Sequence, residues 1–187
     1  MSFAKDYLSE TAEILAVVDT NAIEKIVDVL VDIRNRQGRL FVLGVGGSAS
    51  NASHAVNDFR KIAGIEAYTP TDNVAELTAR INDDGWNTSL AGWLDVSHIT
   101  ETDGILVFSV GGGMDGVSTN IVAALDLAIE VDASIIGIVG RTGGYTSAVA
   151  TACVIIPPLF FDRITPHTEG VAMVVHHLLV SHPRLAR

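Results

Sequence analysis

Short apolar runs alternate with longer segments of helical periodicity along most of this chain. Four of these runs lack the apolar–polar alternation of a half-exposed strand, which is typical of strands buried on both faces of a parallel sheet. They cover residues 40–43, 104–109, 134–139 and 152–156. A fifth, shorter run at 65–69 ends at Pro70. Because helical patterns separate the runs, the sequence predicts an α/β protein with five parallel strands.

The favoured arrangement of these strands is a doubly wound sheet in the order 2-1-3-4-5 with right-handed crossovers. Five helices are predicted around the sheet. They cover about 49–62, a segment that begins at 71 or 72 and ends at 80, a segment that follows the 82–87 turn and ends at about 96, then 118–130 and 166–180. In this order the first and third strands are neighbours at the topological switch point. Open α/β sheets bind ligands at that point, so the loops after these two strands are the first candidates for a site.

Two amphipathic helices are predicted before the first strand, at 2–18 and 22–36, and Asn21 and Glu24 have the spacing of a capping box. A minimal five-stranded sheet gives these helices no obvious place. Their apolar stripes therefore need a partner, and a second subunit is one option. We expect one domain over 1–187, with oligomerisation helices at 1–37 and an α/β core at 38–187.

Charge and cysteine content narrow the function classes. The formal net charge is −10, from 22 acidic and 12 basic residues, which disfavours direct nucleic-acid binding because that requires a basic face. The one cysteine, Cys153, lies in an apolar run and is expected to be a core residue. No signal peptide or bilayer-length apolar stretch is recognisable, so we expect a cytoplasmic protein without membrane partners.

The loop after the first strand has the features of an anion site. Gly44, Gly46, Gly47 and Ser48 follow the apolar run, and a helical pattern begins behind them. Glycines allow close approach of the backbone, while the helix N-terminus offers free N–H groups and a favourable dipole. Ser48 is placed to cap the helix and to bond a phosphate oxygen.

The loop after the third strand is a second candidate for phosphate binding. It runs from Ser109 through Gly111 to Gly113, and Ser118 and Thr119 stand before the next helix. Hydroxyls and backbone N–H groups can cradle a phosphate without a lysine. A flexible loop with an ordinary N-cap is the alternative. The convergence of both loops at the switch point favours a phosphate site.

A dinucleotide site is a competing interpretation, because Gly44 to Ala49 matches a relaxed dinucleotide-binding fingerprint. That fingerprint requires an acidic residue at the end of the second strand, where it would hold a ribose. Glu66 lies inside the predicted strand instead. The fingerprint also leaves the second glycine-rich loop unexplained, so nicotinamide binding is the weaker hypothesis.

Titratable residues on two helices form a further candidate site. His54 and Asp58 are four residues apart and share a helical face, while His176 and His177 lie in an otherwise apolar helix. Glu169 precedes His176 by two turns. Surface pairing and a core histidine are the ordinary explanations for these residues. A metal site built from His54, Asp58, Glu169 and His176 has suitable ligand types but no strong spacing signature.

Taken together, these motifs resemble the SIS (sugar isomerase) phosphosugar-binding domain. The resemblance is carried by segments 46–48, 82–87, 109–113 and 137–144 and by the last helix with His176, and it covers nearly the whole chain. Within that family the sequence is most similar to the phosphoheptose isomerases. The resemblance implies a flavodoxin-like SIS fold and a homotetramer with sites between subunits. It also implies interconversion of sedoheptulose 7-phosphate and D-glycero-D-manno-heptose 7-phosphate.

The resemblance also implies roles for individual residues. Asp58 and His176 correspond to the catalytic pair, and His54 to a histidine one turn before the acid. No cofactor is required, although some members hold zinc with this set. The implied substrate and phosphate ligands come from the two loops, the 82–87 turn and the segment before the last helix. They are Gly46, Gly47, Ser48, Asn82, Asp83, Ser109, Gly111, Ser118, Thr119 and Asp162.

The sequence departs from the family pattern at several of these positions. A Ser-Thr-Ser-Gly-Asn-Ser loop is replaced by one that begins Ser109-Val-Gly-Gly-Gly, and the family's glutamate is the shorter Asp58. The family's glutamine ligand is Thr168. Isomerisation through an enediol needs an acid and a base, and the retention of Asp58 and His176 favours an enzyme. The altered loop keeps a non-catalytic phosphosugar sensor or adaptor as the alternative.

Overall fold

A computed structural model describes residues 2–114 and 116–187 of the protein. Five parallel strands form one sheet in the order β2-β1-β3-β4-β5. The strands are β1 Arg39–Leu43, β2 Glu66–Tyr68, β3 Gly104–Ser109, β4 Ser134–Val139 and β5 Ala152–Ile155. The predicted fold class and strand order are therefore confirmed, and the predicted limits of the third and fourth strands match the structure.

Eight α-helices surround the sheet in the described part of the chain. They are α1 Phe3–Val17, α2 Thr20–Asn35, α3 Gly47–Asp58, α4 Val74–Asp83, α5 Ser89–Val96, α6 Thr119–Glu130, α7 Gly144–Val149 and α8 Ile164–Ser181. A π-helical segment, Phe59–Ala63, continues α3 until Gly64 ends it in a left-handed conformation. None of the helices in residues 2–114 and 116–187 combines the length and apolar character that crossing a bilayer requires.

The two faces of the sheet carry separate hydrophobic cores. On one face, Leu40 and Val42 of β1 pack with apolar residues of α2, α3 and α8. On the other face, Phe41 and Leu43 pack with α5 and α6. Successive side chains of a strand point to opposite faces, which is why one short apolar run supplies both layers. This double covering explains the absence of polar alternation in the sequence.

The second helix, α2, has a place within the core that the sequence pattern did not reveal. Its predicted stripe of Ile23, Ile26, Val27, Leu30 and Ile33 is buried, and the helix packs against β5. The predicted capping box at Asn21 was wrong. Asp19 caps the helix instead, since its Oδ1 accepts hydrogen bonds from the backbone N–H groups of Asn21 and Ala22 at 2.9 and 3.1 Å.

The first helix, α1, buries only part of its predicted apolar stripe and buries a polar contact as well. Glu10 and Ile14 are its buried residues, whereas Phe3 is 70% exposed. The Glu10 carboxylate accepts a hydrogen bond from Arg163 Nε at 2.7 Å and lies 2.9 Å from His167 Nε2. The Arg163 hydrogen bond, followed by the one from His167, lowers the pKa of Glu10 to about 2. This ionic network attaches α1 to the beginning of α8.

Cys153 lies in β5 and is partly buried. Burial raises the pKa of its thiol to about 11. A thiol with so high a pKa carries almost no thiolate near neutral pH, which agrees with the expected packing role.

Candidate active site

The two glycine-rich loops open into one cavity of about 380 Å³ at the carboxyl ends of β1 and β3. Three serines line it, Ser48 from the first loop and Ser109 and Ser118 from the second. The other lining residues are Val45, Val110, Gly111, Gly113, Met114, Val117, Arg141, Thr165 and Glu169. The switch-point argument thus leads to a real crevice that brings both loops together.

The first loop requires its glycines for close packing. A Cβ at Gly44 would lie 2.3 Å from the carbonyl oxygen of Ser48, a separation that real Cβ atoms do not show. Gly46 is the N-cap of α3 with φ 64° and ψ −128°, and no side chain caps the helix. A Cβ at Gly47 would lie 2.6 Å from each carboxylate oxygen of Glu169. The beginning of α3 therefore faces the Glu169 carboxylate.

The second loop leaves two hydroxyl groups able to donate. The Ser109 side-chain oxygen accepts a hydrogen bond from the Gly112 N–H at 3.0 Å, so its own proton remains to be donated. Ser118 is the N-cap of α6 with φ 56°, and its side chain makes no capping bond. A Cβ at Gly112 would lie 1.9 Å from the carbonyl oxygen of Gly143, so a glycine is needed there.

Several residues with an implied role in substrate binding lie outside this cavity. Asn82 and Asp83 are exposed at the end of α4, where the Asn82 amide donates to Asp83 at 2.7 Å. Thr119 donates its hydroxyl hydrogen to Asn87, which connects the second loop to the 82–87 turn. Asp162 is exposed in a short 3₁₀ turn, and Thr165, three residues later, lines the cavity in its place. Their implied roles stay predictions.

Sequence reasoning missed Arg141 and Thr165 and assigned Glu169 only to a metal site. Arg141 could have been found from the predicted strand order. Ser109 pairs with Val139 at the ends of β3 and β4, so the turn after β4 must adjoin the loop after β3. Gly140 N–H donates to the Ser109 carbonyl at 3.0 Å, which holds the two segments together. Arg141 has a positive φ of 49°, unusual for a residue other than glycine.

The second part of the candidate site is a cluster of imidazoles around Asp58. The Oδ2 atom of this carboxylate lies 3.3 Å from His54 Nε2, 3.4 Å from His176 Nε2 and 3.7 Å from His177 Nε2. Asn57 donates its side-chain amide to Oδ1 at 2.8 Å. Asp58 is buried, whereas His54 and His177 are about half exposed. Residues that are far apart in sequence thus converge on one carboxylate.

His176 is the unusual member of this cluster, because it is fully buried and neither ring nitrogen has a hydrogen-bond partner among the described residues. Its Nε2 is near Asp58 but is not aligned for a hydrogen bond. Desolvation lowers the pKa of His176 to about 4, the neighbouring His177 and His54 contribute in the same direction, and Asp58 opposes them. The imidazole is therefore neutral near pH 7 and can accept a proton.

The grouping of potential metal ligands differs from the predicted one. One ligand atom from each of His54, Asp58 and His177 lies within 4.8 Å of the others. His177 thus stands where the prediction had His176, and Glu169 lies at the cavity rather than in this group. Two imidazoles and a carboxylate fit the ligand preferences of Zn²⁺, so the donor set is chemically suitable.

The cavity and the imidazole cluster lie along the same helix–helix interface. Glu169 of α8 faces Gly47 of α3, and the Asn51 amide donates to the Glu169 carbonyl at 3.1 Å. Farther along the same pair of helices, Asp58 meets His176. The residues that line the cavity do not include Asp58 or His176. The candidate site therefore has an open end at the loops and a buried, titratable part.

We compared the chain with protein families, with related sequences and with solved structures. The family description "SIS domain" matches residues 6–140. The lincomycin biosynthesis protein LmbN of Streptomyces lincolnensis is 29% identical, covering 96% of this chain and 68% of that protein. A probable phosphoheptose isomerase of Thermoplasma volcanium is 30% identical, covering 94% and 88%. The solved phosphoheptose isomerase GmhA from Neisseria gonorrhoeae has a TM-score of 0.81 at 20% identity, covering 95% and 94%.

Proposed function

The chain belongs to the SIS-domain family, and on that premise we propose that it is an aldose–ketose isomerase acting on a phosphorylated sugar. The pair of substrates that fits best is sedoheptulose 7-phosphate and D-glycero-D-manno-heptose 7-phosphate, because relatives named phosphoheptose isomerase align over most of their length with this chain. The observation that carries the proposal is the buried Asp58 carboxylate in contact with a neutral, unpartnered His176.

The chemistry of this pair matches the needs of the reaction. Aldose–ketose isomerisation through an enediol moves a proton between C1 and C2 and shifts a second proton between the two oxygens. A neutral imidazole has a lone pair that can accept a proton, and a carboxylate beside it stabilises the imidazolium that forms. Asp58 and His176 share the proton transfers in this proposal. Because they lie on different helices, they can act on the same substrate from two directions.

The cavity at the loops supplies the binding part of the proposal. Hydroxyls of Ser48, Ser109 and Ser118 bind the phosphorylated sugar there. A remote phosphate contributes binding energy that fixes the position of the reacting carbons, which raises the rate without chemistry at the phosphate itself.

Zinc would be held by His54, Asp58 and His177, the three residues whose ligand atoms converge. When bound, such an ion polarises a sugar carbonyl and stabilises negative charge on oxygen. Without zinc, the half-exposed imidazoles of His54 and His177 would be available to hydrogen-bond sugar hydroxyls.

A homotetramer is the proposed assembly, and α1 provides the support for it. Phe3, Leu8 and Val17 on this helix are each more than half exposed, although they are large and apolar. A second copy of the chain would cover them, with residues 1–37 in the contact and 38–187 as the α/β core. A cytoplasmic location remains part of the proposal. Sedimentation at micromolar concentration should give a multiple of 19.8 kDa, and a clean monomer would refute the assembly.

A non-catalytic phosphosugar sensor is the second candidate. It is favoured by the loop at 109–113, which has glycines where the family has hydroxyls, and by the separation of Asp58 and His176 from the cavity lining. Nicotinamide binding has less support in the structure. Glu66 is the first residue of β2, at the end of the strand opposite the cavity, and so cannot meet a ribose there.

Proton exchange separates an enzyme from a sensor. Sugar phosphates of different chain length are incubated with the protein in deuterated water, and deuterium at C2 is followed by NMR. The proposed enzyme exchanges the C2 proton of its substrate, and Asp58→Asn abolishes the exchange while the phosphosugar still binds. Stabilisation by a sugar phosphate without any exchange would establish the sensor instead.

A further inference from the structure

The cavity carries two opposite charges, which come from different elements of the fold. Arg141 and Glu169 are the charged residues among those that line it. The Glu169 carboxylate faces the first turn of α3, beside Gly47, where it interacts favourably with the helix dipole. A phosphate dianion placed next to this carboxylate would be repelled. The α3 end of the cavity is therefore the less favourable end for a phosphate, although the glycine pattern alone indicates it.

The second loop and the turn after β4 supply the features that the α3 end of the cavity lacks. The sheet pairing of Ser109 with Val139 places the turn containing Arg141 beside the second loop. Ser118 comes to the same cavity from the beginning of α6. Ser109, Ser118 and the exposed residue Arg141 thus contribute to the same cavity, and the Arg141 side chain is long enough to reach a ligand in it. A guanidinium offers several N–H donors in a fixed plane, which suits phosphate oxygens.

Arg141 is free to bind a ligand and is held in an uncommon conformation. Its side chain donates no hydrogen bond and forms no ion pair within residues 2–114 and 116–187. Five non-glycine residues of these ranges have a positive φ, and two of them, Ser118 and Arg141, line this cavity. Unusual backbone conformations concentrate at ligand sites, where they fix the direction of a side chain.

We propose that Arg141 is a specificity-determining residue, which binds the phosphate of the substrate together with Ser109 and Ser118. Its positive charge takes over the role of the hydroxyls that the loop at 109–113 lacks, and it offsets the charge of Glu169 within the cavity. Glu169 then faces the sugar rather than the phosphate. This inference rests on the proposed phosphosugar function and adds the residue that distinguishes a phosphorylated sugar from a free one.

The decisive variant is Arg141→Gly, because glycine adopts a positive φ without strain and the fold should be retained. Gln37→Gly is the matched control, since Gln37 also has a positive φ, of 59°, and lies outside the cavity. Both variants are compared with the parent protein in turnover of a sugar phosphate and in thermal stabilisation by inorganic phosphate. We expect Arg141→Gly to raise KM roughly ten- to hundredfold, with little change in kcat, and to abolish the phosphate-induced stabilisation.

The dependence of substrate binding on salt concentration provides a second test of the Arg141 contact. Added KCl should weaken substrate binding more in the parent protein than in Arg141→Gly, because only the parent has the guanidinium contact to screen. An active Arg141→Gly protein with unchanged KM and unchanged phosphate stabilisation would overturn the inference and leave the isomerase intact. Arg141-dependent phosphate binding without any turnover would keep the inference and reject the enzyme. No stabilisation of the parent by any phosphate compound would reject both.

Discussion

Two buried histidines on α8, His167 and His176, have similar surroundings but opposite hydrogen-bonding states. Both are at most 3% exposed, and both lie beside a carboxylate from another helix, Glu10 and Asp58 respectively. His167 is fully engaged, because Nε2 meets Glu10, Nδ1 lies 3.3 Å from the Thr11 hydroxyl and the Tyr7 ring stacks on it. Neither nitrogen of His176 has such a partner among the described residues.

This difference separates a structural histidine from the one to which we assign proton transfer in the proposed function. A buried polar group without a partner costs stability, so its presence in a folded protein requires another explanation. His167 and Glu10 fasten α1 to α8 and have no donor or acceptor to spare. His176 keeps both nitrogens available beside an acid, which is the condition for proton transfer. The hydrogen-bonding state of a buried histidine is thus more informative than its burial.

The largest expected effect comes from exchanging His176 for an apolar residue of similar size. His176→Leu should lower kcat by about 10²–10⁴-fold, because it removes a proton-transfer group. Its stability should be unchanged or higher, since an unpartnered polar group leaves the core. Turnover of sedoheptulose 7-phosphate and a thermal melt measure the two effects. Full turnover in His176→Leu would contradict the assignment and move the role to His177.

The exposed members of the cluster around Asp58 offer a test of metal binding. In the double variant His54→Ala/His177→Ala, any metal that co-purifies with the parent protein should be lost, because two of three converging ligands are gone. Elemental analysis of protein prepared without chelator gives the stoichiometry, with His98→Ala as a control at an exposed histidine outside the cluster. Metal retained at the parental level would place its site elsewhere.

A smaller effect, on stability rather than on rate, is expected at the engaged histidine. His167→Leu should lower the melting temperature, because the Glu10 carboxylate loses one of its hydrogen-bond donors and the ring contact with Tyr7 changes. Turnover measured well below the melting temperature should stay close to the parental value. Loss of turnover without loss of stability would show that the two histidines do not differ in the way described.

The smallest effect is a pH dependence that belongs to Glu10. An acid with a pKa near 2 in the folded state and 4.5 in the unfolded state stabilises the fold at pH values above 4.5. This contribution is lost as the pH falls from 4.5 towards 2. The difference in melting temperature between the parent and Glu10→Gln should therefore be constant above pH 5 and shrink below pH 4. A constant difference throughout would contradict the lowered pKa.

The sheet was predictable because β1, β3 and β4 are buried on both faces and leave unbroken apolar runs. Helix α7 was not, since six residues that begin with Gly144 carry no periodicity. The burial of Glu10 on α1 was also missed, because its ion pair with Arg163 is not revealed by an apolar pattern. The position of Arg141 at the cavity was missed because it depends on the pairing of β3 with β4. That pairing relates segments that are distant in the sequence. His54 and Asp58 were predictable as neighbours on one helix, whereas the approach of His177 to Asp58 depends on the packing of α3 against α8.

In the proposed enzyme, helix α3 would also limit the length of the substrate. Ser48 at the cavity and Asp58 at the imidazole cluster are separated by ten residues of one continuous helix, which rise roughly 15 Å. A helix cannot be shortened for a smaller ligand. The fold therefore fixes the spacing between the cavity that would bind the substrate and the Asp58 cluster that would act on it. Chain length becomes a criterion of selection in its own right: a sugar phosphate that is too short would bind at one end and act there as an inhibitor.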